Sequence, residues 1–442
     1  MSDLVWSDTA IYDQMYGYIP LTEIELELVN HPYFQRLNNI KQLGVGHRVF
    51  PGAQHTRFSH SLGIMYLMDR MTNSPSLKDD PLISKNKQKL RIAALLHDIG
   101  HYPLSHLVET VMTQNGGCKH ERLSDFVINN SSVRDILEKK SVDPREIGQI
   151  ITGSSSEPLF NQLMSSDLDV DRLDYLLRDS FHTGVAYGRF DLNRLVHTIA
   201  LDNQGQLCID KSGMHAAEGY IVGRYLMWVV VYTHRVTNAL ELMIKRICQE
   251  LLGSLLPSFR EIKEMIKEQQ YYFTGFDDNF LFRTISGKTA ETNLTGELCR
   301  MYMTREVLTA AKEAQGMAEN ATKDSEKEYY SLIEYSEEAK LQELAKESEV
   351  SADWIYYYRA TPSLPDLKPT IEDQEKGIKV EEREMTNALR IVGKDGVSEP
   401  LAAIDTSLVF YLKNKGLDIV RIYTKEEYKT KLKTVLEKKL SN

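Results

Sequence analysis

Residues 95 to 106 read LLHDIGHYPLSH, which sets His97, Asp98, His101 and His106 where an apolar helix has just been accumulating leucines. Burying a carboxylate without a partner costs several kcal/mol, and a bound cation is one group that supplies such a partner. Neutral imidazole and carboxylate are the common ligands of divalent Zn, Fe, Mn, Mg, Ni or Co, and a site needs about four to six donors. The donor types do not choose among these ions. Eight of the 12 histidines lie between residues 31 and 120, so the chemistry is concentrated in one part of the chain.

Adjacent residues on a helix point about 100° apart. His97 and Asp98 therefore meet at one ion only if other elements bring further ligands. His60 in RFSHSLG opens its own apolar helix and is the first candidate. The second is an acid from DLDVDRLDYLLRD, where Asp167, Asp171, Asp174 and Asp179 recur at three- to five-residue spacing. Arg172 and Arg178 offer ion-pair partners on a solvated face, but the apolar stripe runs close to the acids, and Asp171 is the best single choice of ligand.

The elements that must position these residues read mainly as helices. LTEIELELVNHPYFQRLNNIKQLG predicts two short helices, with Thr22 as N-cap, a break at Pro32 and a stop at Gly44. GVGHRVFPGAQHTRF predicts a loop or short hairpin, and SHSLGIMYLMDRM a buried helix. The helix in NKQKLRIAALLHDIGH must end before Pro103. SSDLDVDRLDYLLRDSFHTG predicts a helix stopped by Gly184, and the long run from His215 to Leu252 a single central helix. After Leu256 the composition shifts. A charged helical stretch follows, then a strand in DWIYYYRATPSLP, two strands around NKG in SLVFYLKNKGLDIVRIYT, and a closing amphipathic helix. The predicted architecture is a mainly α helical core over residues 1–310 with a smaller α+β lobe over residues 311–442.

Composition narrows the function classes. The 442 residues carry a formal net charge of −10, which disfavours broad attraction to nucleic acid or anionic membranes. No apolar run approaches the roughly 20 residues that span a bilayer. Cys118, Cys208, Cys248 and Cys299 are far apart with no CxxC pair, so free thiols in a reducing cytoplasm are expected rather than a disulfide framework.

His60, the doublet His97-Asp98 and the distant Asp171 match the H…HD…D pattern of the HD-domain phosphohydrolase superfamily. FQRLNNIKQLG, VFPGAQHTRFSHSLG, AALLHDIGHYPLSH, KHE, DVDRLDYLLRD and YGRFD occur in that order. Together they resemble the dNTP triphosphohydrolases of that superfamily over residues 8 to 310, without a SAM domain. The resemblance implies an HD-domain helical core and four metal ligands, His60, His97, Asp98 and Asp171. It implies an acid/base pair, His101 and His120, with His106 facing the same phosphate. Arg57, Arg224 and Tyr175 correspond to phosphate contacts, Gln42 and Asp179 to residues that hold the sugar 3′-hydroxyl, and Leu43 and Tyr232 to the pair that crowds the 2′ carbon.

The chain departs from the family pattern in four places. A phosphate-contacting lysine is Arg172, an aspartate supporting the catalytic histidine is Glu109, and a glutamine after the family tyrosine is Thr233. In the guanine-effector site the acid and arginine are Asn30 and Asn38, although Gln35 is retained. The expected activity is metal-dependent release of inorganic triphosphate from dNTPs, by a homo-oligomer that the resemblance makes a tetramer, with or without a nucleotide effector. The alternatives are an HD nuclease or phosphohydrolase acting on nucleic-acid ends or a modified or signalling nucleotide, and a nucleotide-binding sensor.

Overall fold

The structure is a computed structural model that describes residues 4–268, 270–317, 323–361, 388–412 and 417–441. It is mainly α, with a smaller C-terminal lobe. The described residues fall into two compact units, and neither follows a single cut of the chain. The first takes residues within 1–224, 252–282 and 365–410, and the second the remainder.

The first unit opens on an antiparallel hairpin, Trp6–Asp13 with Gly17–Thr22, which the residue pattern did not announce. Thr22 then caps the Glu23–Val29 helix in a capping box with Glu25. Pro32 opens the short Pro32–Gln35 helix and the helical run ends at Asn39, so Gly44, expected to stop it, instead begins the Gly44–Arg48 turn with φ of +48°. Two helices form the centre: Arg57–Thr72, buried along most of its length, and Pro81–Leu96, which starts on the Asp80 N-cap. His97 takes the C-cap position of the latter, so the helix ends six residues before Pro103. The His106–Gln114, His120–Asn130 and Val170–Thr183 helices complete the surround, the last stopped by Gly184 in the left-handed region. A four-stranded sheet pairs Ile199–Leu201, Leu207–Asp210, Arg390–Val392 and Ser398–Pro400 in that order.

Two sequence expectations fail for local reasons. The run from His215 to Leu252 is not one helix: Met214–Met227 gives way to a π-helical turn at Trp228–Tyr232, and helix resumes at Arg235–Leu251. Val229, Val230 and Val231 are consecutive β-branched residues, which crowd a helix. The Thr233 N–H reaches back five residues to the Trp228 carbonyl at 3.0 Å, widening the turn. SLVFYLKNKGLDIVRIYT holds a Leu408–Leu412 helix and one strand, Leu417–Thr424. The helix wins because Glu218 Oε1 accepts from Leu408 N (2.7 Å) and Ser407 Oγ from Val409 N (3.1 Å), satisfying first-turn donors. The NKG turn, and the prolines expected to end the strand at Tyr356–Ala360, lie outside the described residues.

The second unit is built on a three-stranded antiparallel sheet in the order Thr309–Met317, Leu417–Thr424, Tyr356–Ala360. Its core contains Arg421, whose guanidinium donates to Glu313, to the Thr233 carbonyl and to Asn238. The charged stretch after residue 323 forms the Lys323–Ile333 and Glu338–Ser348 helices, and Glu426–Ser441 closes the chain. All four cysteines are free thiols. Among the described residues no helix is long and apolar enough to cross a membrane.

Candidate metal and phosphate site

The first unit brings His60, His97, Asp98 and Asp171 together from three elements: the first turn of Arg57–Thr72, the end of Pro81–Leu96, and the first turn of Val170–Thr183. One ligand atom from each of His60, His97 and Asp171 lies within 4.8 Å of the other two. Asp98 sits among them, with Oδ1 3.1 Å from His97 Nε2 and Oδ2 3.9 Å from His60 Nε2. His60 Nε2 is 3.0 Å from Asp171 Oδ1.

The outer nitrogens of both histidines are committed elsewhere. His97 Nδ1 donates to the Ala94 carbonyl at 2.8 Å, and His60 Nδ1 meets Asp174 Oδ2 at 2.8 Å. Each ring is thereby oriented with Nε2 toward the centre, the arrangement by which an outer acceptor fixes a metal-ligating imidazole. Asp174 is itself gripped by Arg178 through both oxygens, and Arg178 reaches on to Asp13 at the end of the first strand. Gly63 makes room for this: a Cβ there would lie 2.0 Å from Asp174 Oδ1. His97 Nε2 and Asp98 Oδ1 are buried with no hydrogen-bond partner in the protein. Two such bare acceptors side by side are costly, and a cation is the group their lone pairs fit.

Burial works against protonating His60, but the carboxylates of Asp171 and Asp174 outweigh it and lift the imidazole to about 9. Burial would raise Asp98, yet the Arg57 guanidinium, 2.8 Å away, holds its carboxyl well below the usual range.

A second set of side chains adjoins the first. His101 and His120 stack with ring centroids 4.2 Å apart, and Nε2 of each lies 3.7 Å from Asp98 Oδ1. Glu109 Oε2 accepts from His120 N at 2.7 Å and lies 2.6 Å from His120 Nδ1, while Oε1 is 3.3 Å from His106 Nδ1. These contacts overcome burial and hold the Glu109 carboxyl far below its ordinary value. His120 is raised against its own burial by Glu109. His101, fully buried and beside Arg57, is lowered well below its ordinary value. Burial and charge thus push the two neighbouring imidazoles in opposite directions. His106 is the outlier, with a side chain 65% exposed. His101, His106 and His120 also offer nitrogens within 4.8 Å of one another, although Glu109 already takes two of these rings.

A polar cavity of about 280 Å³ opens beside both sets, lined by His97, His120, Asp171, Arg172, Tyr175 and Arg224 among others. Arg172 pairs with Asp169, and Arg224 with Asp167 at 3.0 Å. Gln42, Leu43 and Asp179 do not line this cavity. Gln42 and Asp179 meet around His55, whose carbonyl accepts from Gln42 N (3.1 Å) and whose Nε2 is 2.7 Å from Asp179 Oδ1. Leu43 follows on the same loop, just before the Gly44–Arg48 turn. Tyr232 belongs to the second unit, on the π-helical turn.

Sequence reasoning missed three contributors. Asp174 was one of four acids three to five residues apart, with nothing to mark it as the partner of His60. His55 and Arg36 carried no signal. Arg36 is a fully buried guanidinium lying 4.3 Å from the Phe273 ring centroid, and it donates to the carbonyls of Phe276, Ile99 and His101, fixing the backbone just after the doublet.

The HD domain model matches residues 57–179 and the HD associated region model residues 190–311. The chain belongs to the HD-domain phosphohydrolase superfamily. It is 31% identical to an uncharacterised protein of Bacillus subtilis over 319 residues, 67% of this chain and 70% of that protein. It is 29% identical to the deoxynucleoside triphosphate triphosphohydrolase of Homo sapiens over 270 residues, 53% of this chain. That match spans 43% of the human protein, and the chain covers less than two thirds of several other curated relatives. Among solved structures, a hypothetical protein from Aquifex aeolicus superposes with a TM-score of 0.74 at 25% identity, over 97% of this chain and 99% of that one.

Proposed function

We propose that the protein is a metal-dependent dNTP triphosphohydrolase, cleaving its substrate at the α-phosphate to deoxynucleoside and inorganic triphosphate. The observation that carries the reading is the shared position of Asp98, which lies within 4 Å of the candidate ligands His60 and His97 and of both stacked imidazoles. The relatives named as deoxynucleoside triphosphate triphosphohydrolases support the choice of substrate.

His60, His97, Asp98 and Asp171 would hold the divalent ion, which when bound polarises a phosphate oxygen and acidifies water. With Nδ1 on Glu109, His120 turns Nε2 toward the centre. From there it hands a proton to the leaving 5′-oxygen as the bond from water to phosphorus forms and the ester bond breaks, while the water's proton passes to His101. His101 is the neutral partner beside it, and His106 faces the same phosphate. Arg57, Arg172 and Arg224 supply permanent positive charge and bidentate geometry for the triphosphate, with Tyr175 alongside. Gln42 and Asp179 hold the sugar 3′-hydroxyl, and Leu43 crowds the 2′ carbon against ribose. Asn30 and Asn38 replace the acid and arginine that would read a guanine, so turnover should not depend on a guanine nucleotide. A tetramer is the assembly we favour.

The test is incubation of the metal-reconstituted protein with each dNTP and rNTP, alone and in pairs, with products resolved. Triphosphate released from dNTPs supports the reading; monophosphates, pyrophosphate or equal turnover of rNTPs would sink it.

A further inference from the structure

The loop after His97-Asp98 has a backbone that the HD residues do not hold unaided. Leu104 and Ser105 have φ of 51° and 55° although neither is glycine. Such residues cost about 1 to 3 kcal/mol each and persist only where the surroundings over-determine them. Proline at 103 and the start of the His106–Gln114 helix bound the strained pair, but neither explains what keeps it in place.

The contact that does so comes from 174 residues further along the chain. Asp278, the first residue of the Asp278–Gly287 helix, accepts from Leu104 N through Oδ1 at 2.7 Å and from Lys41 N through Oδ2 at 2.9 Å. The two segments it joins are tied again by Ser105, whose hydroxyl donates to the Lys41 carbonyl (3.2 Å) and accepts from Arg57 Nε (3.0 Å). Arg57 Nη1 in turn donates to Asp98 Oδ2. One carboxylate thus connects the loop bearing Gln42 and Leu43 to the loop bearing His101 and His106, and the connection continues to the centre of the site.

Asp278 is only 3% exposed. Burial pushes its carboxyl up to about 7, against the pull of its two backbone hydrogen bonds. Asp278 does not cap its own helix, because the Phe280 N–H bonds Asp277 Oδ1 at 3.0 Å, so a helix start does not account for the desolvation cost of burying it. Two acceptor oxygens at fixed spacing, one for each loop, are what a carboxylate offers and a hydroxyl does not.

We infer that Asp278 is a positioning residue, locking the Gln42–Leu43 loop and the His101–His106 loop in register across the HD centre. The inference rests on the reading of that centre as a dNTP-hydrolysing site, and one of its two readouts does not depend on substrate. Asp278→Asn keeps the shape but leaves an amide NH₂ facing one of the two N–H groups. In the full, metal-reconstituted chain it should lower kcat on dNTPs by about 10- to 100-fold, the cost of a misplacement near 1 Å. KM and bound metal per chain should stay within about twofold of wild type. Hydrogen exchange at the Lys41 and Leu104 amides should quicken by about tenfold or more, while the Val170–Thr183 helix keeps its protection. Asp278→Ser, which retains one acceptor and suits a helix start, gives the same readout should the Asn variant not fold. Unchanged kcat, or a loss that merely follows bound metal or global protection, overturns the inference. If the wild type turns over no dNTP, the substrate reading fails by itself. The exchange result then decides alone: selective loss at Lys41 and Leu104 upholds the lock, and uniform or absent loss removes it.

Discussion

His60 shows how much of a metal site lies behind its ligands. Its ring is held by Asp174, and Asp174 by Arg178, so His60 Nε2 can turn to the centre only while that buried chain is intact. Asp174→Asn keeps the volume and removes the charge. It should weaken divalent-metal affinity by about tenfold or more, read by calorimetry on the apo protein; an unchanged Kd would contradict the role. Glu109 works on the proton side. Glu109→Gln leaves a side chain that can no longer hold His120 Nδ1–H as a charged acceptor, and kcat should fall by about 100-fold or more with bound metal unchanged. Equal loss of metal would instead make Glu109 part of the ligand set. The doublet His97-Asp98 was legible because a carboxylate after AALL has no apolar explanation. Asp174 was not, because residues three apart on a helix share a face and sequence does not say which of them meets His60.

Helix ends do most of the positioning. His97 sits where one helix stops, Asp171 and His60 where two others begin; the start near His60 and the stop at Gly184 were readable, whereas the runs expected through His101 and from Ser165 overreach the boundaries at Leu96 and Val170. The N-terminal hairpin, the π-helical turn and the Leu408–Leu412 helix were not readable. Each is set by contacts that periodicity does not contain, such as Glu218 on Leu408 N. One helix start also carries a pH response. His31 caps the Pro32–Gln35 turn by accepting from Tyr33 N at 3.2 Å, and burial pushes its imidazole from 6.5 down to about 4. The unfolded chain therefore takes up the proton first. Stability is full above about pH 6.5 and is lost as pH falls toward 4, by at most about 3 kcal/mol. His31→Asn keeps a capping acceptor and should flatten denaturant midpoints over that window; a variant as acid-sensitive as wild type would show that other groups carry the response.

At the scale of the whole molecule, the proposed chemistry draws on residues from position 42 to position 224, and its geometry depends on Arg36 and Asp278 as well. That spread explains why motif and context together point to a superfamily, while substrate, effector and assembly rest on proposals. Asp278 had no motif around it, and only the folded chain sets it against Leu104. The central claim is that this site releases triphosphate intact from a deoxynucleotide. The most direct measurement is phosphorus NMR of the metal-reconstituted protein with each dNTP, beside a His97→Ala/Asp98→Ala variant. The account predicts inorganic triphosphate as the sole phosphorus-bearing product, in proportion to the dNTP consumed, from the wild type and none from the variant. Pyrophosphate with a nucleoside monophosphate, or undiminished turnover by the variant, would contradict it.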